Sequence, residues 1–172
     1  MKPAVKNSLI LAAPITILII LDQVLKFLAE TKKIMADLGI VAFHYVSNTG
    51  ASFGMLQGNN TLLIWVSLIV LGVILICIDR IKKEQTIPLL LVVSGLLGNL
   101  IDRIFRGHVV DFIDLKFWPV FNLADSLIVI GVFWLIIVIL RKDSAKKQGR
   151  TTRKNKDKKE KRKHKNKKDK KA

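Results

Sequence analysis

Four apolar stretches dominate the chain, at roughly Ser8–Leu28, Thr61–Ile78, Thr86–Ile101 and Asn122–Leu140. None shows the alternation of a half-buried strand. Each approaches the ~20 residues (range ~17–25) with which a helix crosses ~30 Å of hydrocarbon. Only helices and closed barrels satisfy their own backbone in lipid, so the pattern predicts an all-α membrane protein with four transmembrane helices. The third stretch is the shortest and needs flanking residues to complete a span. Lys2 and Lys6 before the apolar Leu9–Leu21 core imitate a secretory leader. No small-residue cleavage site follows and three more spans do, so the first stretch reads as a retained helix. The connection after it is long enough to hold structure of its own. Within it, Ile40-Val41-Ala42-Phe43-His44-Tyr45-Val46 is rich in strand formers, and Ala51–Leu56 reads as a short helix or a second strand.

Charge adds an orientation. The chain is 51% apolar yet carries a net charge of +16. Residues 141–172 hold 18 Lys/Arg against 4 Asp/Glu, whereas residues 1–140 hold 11 against 9. A nearly neutral membrane domain, 1–140, is thus followed by a Lys-rich tail, 141–172, without the apolar content to build a core. Basic residues in short loops mark the cytoplasmic side. Lys2 and Lys6, then Arg80, Lys82 and Lys83, then the tail from Arg141 all fall on one side of a four-span chain. The loops at about 29–60 and 102–121 are close to neutral and belong outside. The predicted topology is N-in and C-in, with the tail on the anionic cytoplasmic leaflet and no nucleic-acid partner. Cys77 is alone in an apolar run, and with three scattered histidines it makes a zinc site improbable.

Against this apolar frame the ionisable residues carry the functional signal, because charge in or beside a span is costly. Asp22 and Lys26 are four apart and share a helix face, either as a self-neutralising pair or as part of a site. Ser47-Asn48-Thr49-Gly50-Ala51-Ser52-Phe53-Gly54 signals a turn. It also offers an amide to hold a peptide group and small residues that admit a substrate backbone. Ser52 lacks the context of a nucleophilic serine. In Gly95-Leu-Leu-Gly-Asn-Leu-Ile-Asp-Arg103 the two glycines allow close helix packing, and Asn99, Asp102 and Arg103 share one face. Asp102 paired with Arg103 would anchor that helix end. Asp111 lies in an apolar Val-Val-Asp-Phe-Ile setting, and Asp125 lies one turn into the fourth stretch with Asn122 three residues before it. Singly, Asp111 reads as a turn residue and Asp125 as a cap on a helix N-terminus. Together, two carboxylates on the outer face in apolar surroundings suggest a pair sharing one proton. The ionised member would deprotonate water, and the protonated member would donate to a scissile carbonyl and then to the leaving amine.

These blocks, Asp22-Gln-Val-Leu-Lys26, Asn48-Thr-Gly-Ala-Ser-Phe53, Gly95–Arg103, Val109-Val-Asp-Phe-Ile113 and Phe121-Asn-Leu-Ala-Asp125, together resemble the lipoprotein signal peptidases, signal peptidase II of bacteria. The match runs over about residues 9–140. The resemblance implies an intramembrane aspartyl peptidase of the bacterial inner membrane. Its four helices would be covered by a small extracytoplasmic β-cradle and a short outer helix. It would use no cofactor and no metal, cleave prolipoproteins just before a diacylglyceryl-bearing cysteine, and act as a monomer among membrane lipids. Family members are targets of the cyclic depsipeptide globomycin. The catalytic pair maps onto Asp111 and Asp125. Supporting positions map onto Asp22, Lys26, Asn48, Gly50, Asn99, Asp102, Arg103, Asn122 and Ala124. The Lys-rich tail departs from the family pattern, and the segment between Asp111 and Asp125 is short, at 13 residues. Rival readings are a Mg²⁺-dependent lipid-phosphate transferase using Asp102, Asp111, Asp114 and Asp125, and a proton-coupled transporter or scaffold. The first lacks a cationic phosphate cluster on the outer face, and the second lacks polar groups in the inner half of the spans.

Overall fold

The computed structural model describes residues 3–32, 36–50 and 56–141, with 3–11 as helix backbone. Helix α1 (Pro3–Glu30) is followed by strands β1 (Ala36–Asp37) and β2 (Ala42–Asn48). Helix α2 (Asn60–Ile76), a short 3-10 turn (Ile78–Arg80), helix α3 (Lys83–Phe105) and strand β3 (Val109–Asp114) come next. Helix α4 (Leu123–Arg141) is the last described element. The chain divides into two compact units, Met1–Trp134 and Leu135–Ala172. The second is described only over 135–141, which are helical. The Lys-rich tail expected over 141–172 lies, from residue 142, outside the described residues, as does most of the helix or strand expected at Ala51–Leu56.

Among the described residues three helices are long and apolar enough to cross a membrane: Ala12–Glu30, Lys83–Phe105 and Leu123–Arg141. α2 is apolar but has 17 residues, so the shortest apolar helix is the second and not the third. The third gains at both ends. The Gln85 side chain accepts the Lys82 backbone N–H at 3.0 Å and starts the helix early. At the other end Asp102 and Arg103 remain helical, with the Asp102 carboxylate paired to Lys26 of α1.

Glycine brings α3 against its neighbours. A Cβ on Gly95 would strike the Ala124 carbonyl and Ile128 of α4, and one on Gly98 would lie 2.7 Å from an Asp22 oxygen of α1. Asp22 thus meets Gly98, and Lys26 meets Asp102, so α1 and α3 run in the same direction. Ala124 and Ile128 meet Gly95, while Gly131 meets Pro88 and Val92, so α4 runs antiparallel to α3. Asn60, first in α2, donates to the Arg103 carbonyl at 3.0 Å. The ends of α1 and α3 and the starts of α2 and α4 therefore gather at one end.

The sheet caps that end. Its order is β1-β2-β3, both pairings antiparallel. The expected strand at 40–46 is found two residues later, at Ala42–Asn48. β2 pairs Phe43 with Ile113 but Val46 with Asp111, so it carries one extra residue, a bulge that re-aims the second half of the strand. Ala29 of α1 packs with Val110 and Phe112 of β3 in a small apolar core. Elsewhere burial is inverted. Ile69, Ile76 and Val129 are at least 62% exposed, while Asp22, Lys26, Asp102, Asp111 and Asn122 are at most 1% exposed. That is the pattern of a protein whose solvent is hydrocarbon and whose polar groups face inward.

Candidate active site

Asp111 is the third residue of β3, not a turn residue, and is 1% exposed. Its Oδ1 accepts from the Asn122 amide at 2.7 Å and its Oδ2 from the Asn48 amide at 2.8 Å. Asn48 ends β2, directly across from Val109, and its own oxygen accepts the Gly50 N–H at 2.9 Å. One N–H of its amide is thus engaged by Asp111 and its oxygen by Gly50. Burial, and then the like charge of Asp125, push the Asp111 carboxyl up to about 6. The two amide donors and the charge of Lys26 oppose that rise without cancelling it.

Asp125 does combine a cap with a site position. Asn122 precedes the first turn of α4, and its Oδ1 accepts the Asp125 N–H at 2.9 Å while Asp125 Oδ2 accepts the Asn122 N–H at 3.3 Å. That reciprocal pair is a capping box. The other oxygen, Oδ1, accepts from the Asn99 amide of α3 at 2.7 Å. Asn122 also donates to Asn99 Oδ1 at 3.1 Å, so an unbroken amide chain links the two carboxylates. Asp111 and Asp125 line one cavity of about 150 Å³ with Asn48, Gly50, Asn99 and Arg103.

Beneath the cavity lies a second, ionic layer. Lys26 is fully buried, and its Nζ meets Asp22 and Asp102 at 2.8 Å each and Asn99 Oδ1 at 3.0 Å. An ammonium has three hydrogens and only donates, so all three are used, and the Asn99 atom facing it must be the oxygen. The Asn99 N–H donors are thereby turned toward Asp125. Asp22 Oδ1 accepts the Ala124 N–H at 2.9 Å, and Asp102 Oδ2 accepts the Val110 N–H at 3.3 Å. Each of these carboxylates holds the backbone one residue before Asp125 or Asp111.

The expected pairing of Asp102 with Arg103 is corrected. Adjacent residues on a helix diverge by about a quarter turn or more, and Asp102 instead binds Lys26 across to α1 and Arg106 one turn along its own helix. Arg103 points into the cavity, its Nη2 3.5 Å from the Gly50 carbonyl and within electrostatic reach of Asp125 and Asp111. Every expected site residue thus lies in or against one cluster. Sequence reasoning missed Gln23, Arg106 and Ser67. Gln23 donates to Asp102 at 3.1 Å, and Ser67 lines the cavity from α2. Arg106 was legible as an i, i+4 partner of Asp102. The other two carry no such spacing.

Apolar outward surfaces, buried charge and a carboxylate-lined cavity at one end of the helices mark a membrane protein with an inward-facing polar site. A family model described as "Signal peptidase (SPase) II" matches residues 14–141. The lipoprotein signal peptidase of Halothermothrix orenii is 41% identical over 136 residues, covering 75% of this chain and 94% of that protein. That of Syntrophomonas wolfei is 40% identical over 132 residues, covering 72% and 88%. A solved structure described as a bacterial membrane enzyme superposes with a TM-score of 0.73 at 30% identity, covering 82% of this chain and 92% of that one. With that extent of likeness, the chain belongs to the signal peptidase II family and is a bacterial membrane peptidase of lipoprotein processing, one that removes signal peptides from prolipoproteins.

Proposed function

We propose that the chain is an aspartyl endopeptidase in which Asp111 and Asp125 share one proton and activate water. The cut would fall just before a diacylglyceryl-modified cysteine. The observation that carries this reading is that both carboxylates line one cavity and are joined through Asn99 and Asn122. With the Asp111 carboxyl pushed up to about 6, one proton on the pair is held to a higher pH than an ordinary carboxyl would hold it. Asp125 takes the proton of the attacking water while Asp111 donates to the scissile carbonyl, and the proton then passes to the leaving amine. Arg103, beside the Gly50 carbonyl at the cavity wall, steadies the substrate backbone.

The same reading has four spans, α2 crossing with the help of its flanks, and N-in, C-in topology in the inner membrane. Lys82 and Lys83 then face the cytoplasm, and the sheet and cavity lie on the extracytoplasmic side. The test is incubation of purified protein with diacylglyceryl-modified and unmodified prolipoprotein, with and without EDTA. Cleavage of the modified form alone, before its cysteine and unaffected by EDTA, is the expected result. Loss of cleavage in EDTA would overturn the metal-free aspartyl mechanism.

A further inference from the structure

Arg106 caps the C-terminus of α3, outside the residues that the family likeness singles out, yet it is bonded into the ionic layer beneath the proposed dyad. Two carboxylates, Asp22 and Asp102, are buried there around the single ammonium of Lys26. Every carboxylate oxygen in the layer is engaged. Asp22 takes Lys26 and Gln23 on Oδ2 and the Ala124 N–H on Oδ1. Asp102 takes Lys26 and the Val110 N–H on Oδ2, and Gln23 and Arg106 on Oδ1. One ammonium cannot balance two buried carboxylates, and Arg106, whose Nη1 binds Asp102 while its Nε lies 3.6 Å from the more exposed Glu30, brings a second positive charge to the layer. Gln23 bridges, accepting from Arg106 at 2.9 Å and donating to the same Asp102 oxygen.

The consequence falls on Lys26. Of its three partners Asn99 is the only neutral one and the most distant, at 3.0 Å against 2.8 Å for each carboxylate. Hydrogen bonds to carboxylates are the stronger, so an under-neutralised Asp102 draws the ammonium away from Asn99. The Asn99 oxygen then keeps only the Asn122 amide of its two donors, and its own N–H groups are held less firmly on Asp125.

We infer that Arg106, with Gln23 as its bridge, is a positioning residue of the proposed reaction: by neutralising Asp102 it leaves Lys26 free to fix the Asn99 amide against Asp125. This rests on the aspartyl mechanism proposed for Asp111 and Asp125. It is tested with Arg106→Gln, Arg106→Lys and Asn99→Ala, singly and combined, in two measurements on the purified full-length protein. In turnover of lipid-modified prolipoprotein, Arg106→Gln lowers kcat by about 10- to 100-fold with KM within about twofold, the pattern of a misplaced reacting group. Arg106→Lys, which keeps the charge, recovers most of it. In an Asn99→Ala background the same Arg106→Gln change costs less than about twofold further, because residues acting as one unit are not additive.

The second measurement needs no turnover. With ¹⁵N-labelled asparagine, the Asn99 side-chain amide signal is identified by its loss in Asn99→Ala. It shifts or broadens in Arg106→Gln and returns in Arg106→Lys. An unchanged Asn99 signal in folded Arg106→Gln, or a double variant in which the two losses simply multiply, overturns the inference. Near-normal turnover by Asp111→Asn or Asp125→Asn would instead overturn the aspartyl reading, while the amide signal would still decide the positioning role.

Discussion

Asp125 belongs to two hydrogen-bonded arrangements at once, the capping box that starts α4 and the amide chain that leads to Asp111. Replacing it therefore has two separable effects. Asp125→Asn and Asp111→Asn are each expected to lower prolipoprotein cleavage by roughly 10²- to 10⁴-fold, since a shared proton fails as a unit. Membrane insertion should be unchanged, as labelling of an outer-loop cysteine would report. Near-normal turnover by either variant would remove the dyad. A pH signature belongs to Asp111. Its folded carboxyl titrates at about 6, above the ordinary value of 3.8, so between those values the folded state binds more protons than the unfolded. Stability is thus greatest below about pH 4 as far as this group is concerned, and is lost as pH rises to about 6. The thermal midpoint of the wild type should fall over that window, and the Asp111→Asn protein should lack that component. Equal pH slopes in the two proteins would contradict the burial-driven shift.

At the scale of elements, the small residues of α3 set how near its neighbours can come. Gly95 faces the Ala124 carbonyl, and backbone cannot swing aside as a side chain can. Gly95→Ala should cost ~1–3 kcal/mol as an overpacked contact and lower the melting temperature in detergent. Gly72 of α2 provides the contrast, with nothing within 4 Å of an added Cβ. Gly72→Ala should be neutral or stabilise by up to ~1 kcal/mol through the helix propensity of alanine. If the two substitutions shift the melting temperature equally, close approach of α3 and α4 is not what Gly95 provides. The four apolar helices, three of them long enough to cross a membrane, the Gly95–Gly98 pair and the strand-rich 40–46 segment were legible because each depends on local pattern. The strand's two-residue offset and its bulge were not, because register is fixed by β3, more than 60 positions away.

For the whole molecule, the inverted burial and the gathering of helix ends under the sheet describe a site built beside lipid. All residues lining the cavity fall between Asn48 and Ile128. A chain truncated after Lys142 keeps Lys2, Lys6, Arg80, Lys82 and Lys83, the short-loop charges on which the proposed orientation rests. It is expected to insert correctly and to cleave prolipoprotein in detergent within about twofold of the full-length rate, since leaflet charges at ~1 kcal/mol each act only near the surface. A large loss of turnover with intact insertion would assign the tail a part in catalysis.

Taken alone, the sequence determined the apolar helices, the charge asymmetry between body and tail, and the polar blocks that belong together. Each derives from composition or from spacing along one helix, where geometry is set by the backbone. Only the tertiary structure decided the partners. Arg103 and Arg106 are equally basic and three residues apart, yet one faces the cavity and the other neutralises Asp102. That choice depends on where α1 presents Gln23, Glu30 and Lys26. The direction of each asparagine amide was likewise undetermined, because an amide can present either end. It is fixed here by groups with one possible role: the ammonium of Lys26, which only donates, and the Gly50 and Asp125 backbone N–H groups, which do the same for Asn48 and Asn122.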